Sequence, residues 1–317
     1  RGLDLIEYVG YDPDAHDGPS IILPSVADGS ACTDTSYMFA EMSHLELVDL
    51  HGFNGATGMK MNHMFEGAFQ QKDKQNRVIM ANIATGAGAD LSYMFAGTAD
   101  KPLYIKDVSL VRVGTGDFIE GASASVHIPT DLSYLFANCP VLTKVELDTV
   151  GSGREAVLSH MFEGTAPHDI DARDTYLLDN KAITYDLTDV GIGGLAQMDF
   201  MFKDAFTYDG FDIANSYVRF ATTLDLSVIN EENEHSYGAS TMRGMFYCDF
   251  DIEAGETTRN HMAKIDLSGL VGVQPLNGID SSLAFMFFGC DNIETVGYNA
   301  ESSVVLPSPW DIRGVIS

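Results

Sequence analysis

Basic residues are what this chain most lacks. Its 18 Lys and Arg face 46 Asp and Glu, a formal net charge of −28 at pH 7. Binding phosphates requires a basic footprint, so nucleic acid is excluded as a partner and an anionic membrane surface is disfavoured. No apolar run approaches the ~18–20 residues of a membrane span, so no membrane insertion is expected of this segment. Only four cysteines are present, Cys32, Cys139, Cys248 and Cys290, and none forms a C-x-x-C pair. A disulfide-stapled scaffold, a structural zinc and a thioredoxin-like dithiol therefore lose their support. G-x-S-x-G, the P-loop and G-x-G-x-x-G are missing too, and the nine histidines never cluster at metal-ligand spacing on one element. Carboxylate pairs occur, but a chain with 46 acids has them without any catalytic role. The expectation is a protein that is not an enzyme. The opening Arg1-Gly2-Leu3-Asp4 has neither an initiator Met nor a charged-then-apolar leader, and reads as a mature or excerpted segment.

What the chain does have is a repeat. At 317 residues it exceeds the ~250–300 at which one core stops growing, which favours two domains or an open repeat architecture. A Met-Phe or Leu-Phe pair recurs eight times, beginning at Met38, Met64, Met94, Leu135, Met161, Met201, Met245 and Met286. Three residues earlier stand Thr35, Met61, Leu91, Leu132, Leu158, Met198, Met242 and Leu283. The i, i+3, i+4 spacing predicts one face of a single helical turn. Asp34, Asp90, Asp131, Thr241 and Ser282 stand where N-caps belong. Gly67, Gly97, Asn138, Gly164 and Gly289 stand where a left-handed residue stops a helix. Between the copies lie alternating runs such as Val48-Asp49-Leu50, Val145-Glu146-Leu147 and Ile265-Asp266-Leu267, which read as half-buried strands. Leu50, Met80, Leu147 and Leu187 each precede the next pair by 14 residues, and Met38 to Met64, like Leu135 to Met161, spans 26. Longer spacings carry surface insertions, as stacked repeats tolerate.

The pattern L/M-x-x-M-F-x-G-[CAT] followed by L-x-x-V/L-x-L is clearest at 132–147 and 283–296. It resembles the BspA-like leucine-rich-repeat surface proteins over about residues 33–300. The resemblance implies an α/β leucine-rich-repeat solenoid of about eight irregular repeats, with a parallel sheet on one side and short helices on the other. Residues 1–32 are then an N-terminal capping segment, 33–300 the solenoid with insertions, and 301–317 a C-terminal edge strand or cap. The similar stretches 21–25 and 304–308, each carrying a Pro, suit edge strands. The resemblance also implies an extracellular or cell-surface location and adhesion to a protein or glycan on another surface, or to copies of itself. The alternative is a structural subunit or decoration of a surface coat, filament or virion-like particle.

Several residues stand out as candidates. The Phe of each pair is expected to form an internal ladder. His63 and His160 hold the position that Tyr37, Tyr93, Tyr134, Phe200 and Phe285 hold elsewhere, which predicts a second aromatic ladder. Cys139 and Cys290 share one repeat position and read as small buried hydrophobes. The outward strand position holds Asp49, Ile79, Ser109, Glu146, Asp186, Asp225 and Asp266. Glu146, Asp186, Asp225 and Asp266, extended by Asp148, make an acidic file that either receives divalent cations or a basic partner, or is simply hydrated. Asp12, Asp14 and Asp17 resemble a calcium loop with one ligand displaced and no Glu at the twelfth position, so a solvated acidic turn competes with calcium there. No other cofactor is expected.

Overall fold

A computed structural model describes residues 5–12, 14–23, 32–51, 55–84, 88–98, 100–115, 129–151, 153, 155–165, 184–187, 190, 196–205, 207–208, 222–225, 239–247, 259–260, 262–266, 285–286, 288 and 295–297. The strands are β1 (Tyr8–Gly10), β2 (Ser20–Ile22), β3 (Cys32–Asp34), β4 (Leu47–Asp49), β5 (Gly55–Lys60), β6 (Arg77–Ile83), β7 (Asp107–Val113) and β8 (Lys144–Asp148). They continue as β9 (Thr184–Asp186), β10 (Ala196–Gln197), β11 (Thr207–Tyr208), β12 (Thr222–Asp225), β13 (Ala239–Thr241), β14 (Arg259–Asn260), β15 (Met262–Asp266) and β16 (Thr295–Gly297).

Parallel pairing dominates. Seven strands form one parallel sheet in the order β2-β1-β4-β6-β7-β8-β9, and β12-β15-β16 form another. Strands β3-β5 and β10-β13 pair in parallel, and β11-β14 pair antiparallel. The alternation in the sequence sets the register. Val9, Val48, Val78, Val108 and Val145 lie side by side on five neighbouring strands, all buried. Leu50, Met80, Leu110, Leu147 and Leu187 are buried two residues further along. At the N-terminal end β1 joins this sheet beside β4, and β2 is its edge, so Ile21 and Ile22 do lie in an edge strand. Pro24 and the stretch 304–308 lie outside the described residues.

Among the described residues the short helices do not form, and the Met-Phe or Leu-Phe segments of the first seven copies are runs of tight turns. The hydrogen bonds explain why. In the third copy the Leu91, Tyr93, Phe95 and Gly97 amides donate to Asp131, Ser133, Leu135 and Ala137 of the next copy. The Met94 and Ala96 amides donate to carbonyls within the turn, those of Leu91 and Tyr93. Beyond its first turn, an α-helix would direct these amides to carbonyls of its own copy rather than of the neighbour. The turns instead add a second hydrogen-bonded ladder across the stack from the sheet. The residue before each Met takes a left-handed backbone, with φ near +60° at Tyr37, His63, Tyr93, Tyr134, His160, Phe200 and Phe285, and +56° at Gly244. That φ at a turn's third residue belongs to type II turns. The expected N-caps also act differently. Asp34, Asp90 and Asp131 accept from the amides of Ser36, Ser92 and Ser133, two residues on, as Asx turns.

The internal ladder is as expected. Phe39, Phe65, Phe95, Phe136, Phe162, Phe202 and Phe246 stack in order with centroids 4.9–5.6 Å apart. This spacing follows the ~4.8 Å rise between paired strands. Met38 in the first copy is exposed, whereas Met64, Met94, Met161, Met201 and Met245 are buried. Cys139 is fully buried, its thiol facing the Phe95 carbonyl at 3.0 Å, and burial pushes that thiol far above the ordinary range. Cys290 lies outside the described residues.

Candidate functional site

The turns carry a second aromatic row on their outer side. Tyr37, His63, Tyr93, Tyr134, His160 and Phe200 stack with centroids 4.5–5.2 Å apart and planes within 20°. Tyr37, at 52%, and Tyr93, at 36%, are among the most exposed large apolar residues, as is Phe285 in the eighth copy. Stacking hides the ring faces and leaves the edges outward: three phenol hydroxyls, two imidazoles and their flanking acids. Both histidines have a glutamate three residues on. His63 Nδ1 lies 3.0 Å from Glu66 and His160 Nδ1 2.6 Å from Glu163. Lys203 from the next copy also reaches Glu163, at 2.9 Å. Burial alone would raise the Glu163 carboxyl, but hydrogen bonds from His160 and Lys203 hold it below the usual carboxylate range. Burial, aided by Asp131 and Glu163, pushes the Tyr93 phenol up.

The row changes at the seventh copy. Gly244 stands at the ring position, and a side chain there would meet Phe200 Cε1 at 2.4 Å. The ring shifts three residues along to Tyr247, which meets Phe200 edge-on and stacks on Phe288 at 4.9 Å.

On the sheet face, Asp49, Ile79, Ser109, Glu146 and Asp186 share one register row across β4, β6, β7, β8 and β9. Ile79 and the buried Ser109 separate Asp49 from Glu146. Asp225 and Asp266 pair in register in the second sheet, where Gly297 follows them. Asp148 lies on β8 and accepts from the Thr149 hydroxyl at 2.7 Å. The side chains of Asp186, Asp225 and Asp266 lie outside the described residues. A row two residues earlier, Arg77-Asp107-Lys144, alternates in sign, with Asp107 3.2 Å from Arg77 and 3.6 Å from Lys144. That row was hidden in sequence because its members come from three separate copies.

In the acidic N-terminal loop the carboxylates face solvent, as a solvated acidic turn would have them. Asp12, Asp14 and Asp17 are exposed, and the Asp12 carboxylate accepts from the Asp14 amide at 2.9 Å as an Asx turn. The loop's contribution to a cluster is His16. One donor atom each from Glu7, His16 and Glu46 lies within 4.8 Å of the other two, a grouping that could hold a metal ion. Sequence spacing hides it, because strand pairing of β1 with β4 brings Glu46 beside Glu7. A local signal did exist for the outer row: His is followed at the third residue by Glu in both His copies, and Tyr by Ala in all three Tyr copies.

Among the described residues, no helix is long and apolar enough to cross a membrane. In comparisons with protein families, curated proteins and solved structures, none matches this chain.

Proposed function

We propose that this chain is a BspA-like leucine-rich-repeat solenoid acting as a non-enzymatic interaction module at the cell surface or outside the cell. Its partner is a protein or glycan, held along the outer turn face. The observation that carries this reading is that, among the described residues, the exposed Tyr and Phe residues, Tyr37, Tyr93 and Phe285, all occupy one repeat position. Exposed apolar side chains gathered in one row, rather than scattered singly, mark an interaction surface. Aromatic edges with hydroxyls, imidazoles and carboxylates between them suit a partner offering hydrogen-bond donors or cationic groups. Glu146 and Asp186, neighbours in one register row, and Asp225 and Asp266, paired in the second sheet, offer calcium or a basic surface a second place to engage.

The test is binding of the parent and of a Tyr37→Ser/Tyr93→Ser variant to arrayed glycans and immobilised surface proteins. A ligand retained by the parent and at least about tenfold weaker for the variant supports the turn face, as truncated aromatic anchors do elsewhere. Equal retention moves the site away from the turns. Sedimentation at micromolar concentration separates the alternative: a monomer fits a receptor-type module, and self-association a coat, filament or particle subunit.

A further inference from the structure

We propose that Glu7, His16 and Glu46 form a binding site for a divalent transition metal of the zinc class, which clamps the loop between β1 and β2 onto the sheet. The register builds the site. Tyr8 pairs with Leu47, so the preceding residues, Glu7 and Glu46, sit side by side, and the Glu46 amide donates to the Glu7 carbonyl at 2.7 Å. Two like charges are thereby fixed side by side at the starts of adjacent strands. His16 arrives from the loop, its ring near-parallel to Tyr8 with centroids 6.4 Å apart. Its Nδ1 is 3.7 Å from Glu7 Oε2 and its Nε2 3.6 Å from Glu46 Oε2, both too long for a hydrogen bond. The ring thus stands between two carboxylates without bonding to either. Lys74 takes the other Glu46 oxygen at 2.5 Å, leaving Oε2 turned toward the imidazole. With a neutral imidazole, two carboxylates and one ammonium leave a net negative charge at the cluster.

The donor set selects the ion. One imidazole nitrogen and two carboxylate oxygens suit zinc, with a fourth position for water, whereas calcium seeks six to eight oxygens. Donors around a tetrahedral ion stand about 3.4 Å apart, so side chains already within 4.8 Å need only a small closing movement. His16 Nδ1 accepts from the Gly18 amide at 3.0 Å. A metal at Nδ1 must therefore displace that amide, and a metal at Nε2 breaks the same bond, because the ring proton then moves to Nδ1.

The experiment uses the full chain and zinc alone, with thermal melts and titration calorimetry at pH 7.5. The expected result is a zinc-dependent rise in melting temperature, and a smaller rise with equal calcium. H16Q should weaken zinc binding at least about tenfold. H51Q serves as a control, because His51 faces a single carboxylate, Asp49, and should bind as the parent does. If H16Q melts without cooperativity, E7Q replaces it in the comparison. Cobalt substitution should give the visible absorption of a four-coordinate ion in the parent and lose it in the variant. A parent without any zinc-dependent shift, or variants at Glu7 and His16 that bind as the parent does, would overturn the proposal.

Discussion

Two aromatic ladders run through the same turns, two residues apart, and they are built to different rules. Both stack their rings at close to 5 Å, because both inherit the spacing of hydrogen-bonded copies. The inner ladder is Phe at every described rung and is buried. The outer ladder holds Tyr, His, Phe and, at one rung, Gly. Stacking geometry is thus imposed by the backbone, and burial decides how much chemical variety a rung tolerates. Water can satisfy a hydroxyl or imidazole edge on the outer side, whereas inside such a group must find a protein partner. The variable ladder is the one free to carry recognition, while the uniform one holds the stack together.

Removing an inner rung should have the largest effect. F162A leaves a cavity between Phe136, Phe202 and Tyr185, which stack on it at 5.1–5.2 Å. The expected loss is about 3–5 kcal/mol in denaturant melts. A near-neutral result would mean that the inner ladder is not a packed core.

An outer rung should matter less, and in an unusual order. Tyr134 stacks on Tyr93 and His160 at 4.7 and 4.5 Å while holding φ at +57°. A left-handed backbone costs a non-glycine residue roughly 1–2 kcal/mol. Two ring contacts, at about 0.5–1.5 kcal/mol each, offset it. Y134A loses the contacts and keeps the strain, so it should destabilise by about 1–3 kcal/mol. Y134G loses both, and should be milder by about 1 kcal/mol. Gly244 is the natural counterpart, a left-handed rung without a ring. If alanine proves as mild as glycine, strain is not what the stacked rings offset.

The contrast also separates what was legible in the sequence from what was not. Strand register was readable, because alternation such as Val145-Glu146-Leu147 fixes which face is buried once neighbouring copies are aligned. The Phe ladder was readable for the same reason. The turns were misread as helices because Leu91, Met94 and Phe95 meet the i, i+3, i+4 rule in either structure. What decides between them is a hydrogen bond such as that from Phe95 to Leu135, forty residues away, which no local pattern contains. Glu7, His16 and Glu46 were invisible for a related reason. Neither β1 nor its loop belongs to the repeat, so nothing in the spacing announces that β1 pairs with β4.

The smallest expected effect tests whether the outer ladder is merely decorated or electrostatically tied together. Glu163 bridges His160 of its own copy and Lys203 of the next, with its side chain 22% exposed. Those partners hold its carboxyl below the usual range despite burial. A depressed carboxylate stabilises the fold above its unfolded value, near pH 4.3, and that contribution is lost as pH falls through the lower folded value. E163Q should therefore be less stable than the parent at pH 7, by on the order of 1 kcal/mol. The gap should shrink as pH falls below about 4, where the parent loses the same interaction. Subtracting the two stability curves cancels the many other carboxylates that titrate in this window. Glu66, facing His63 with its side chain 41% exposed, provides the comparison: E66Q should leave a smaller gap. A gap at Glu163 that stays constant from pH 7 to pH 3 would mean that the charge on Glu163 contributes nothing, and that stacking alone joins the outer rungs.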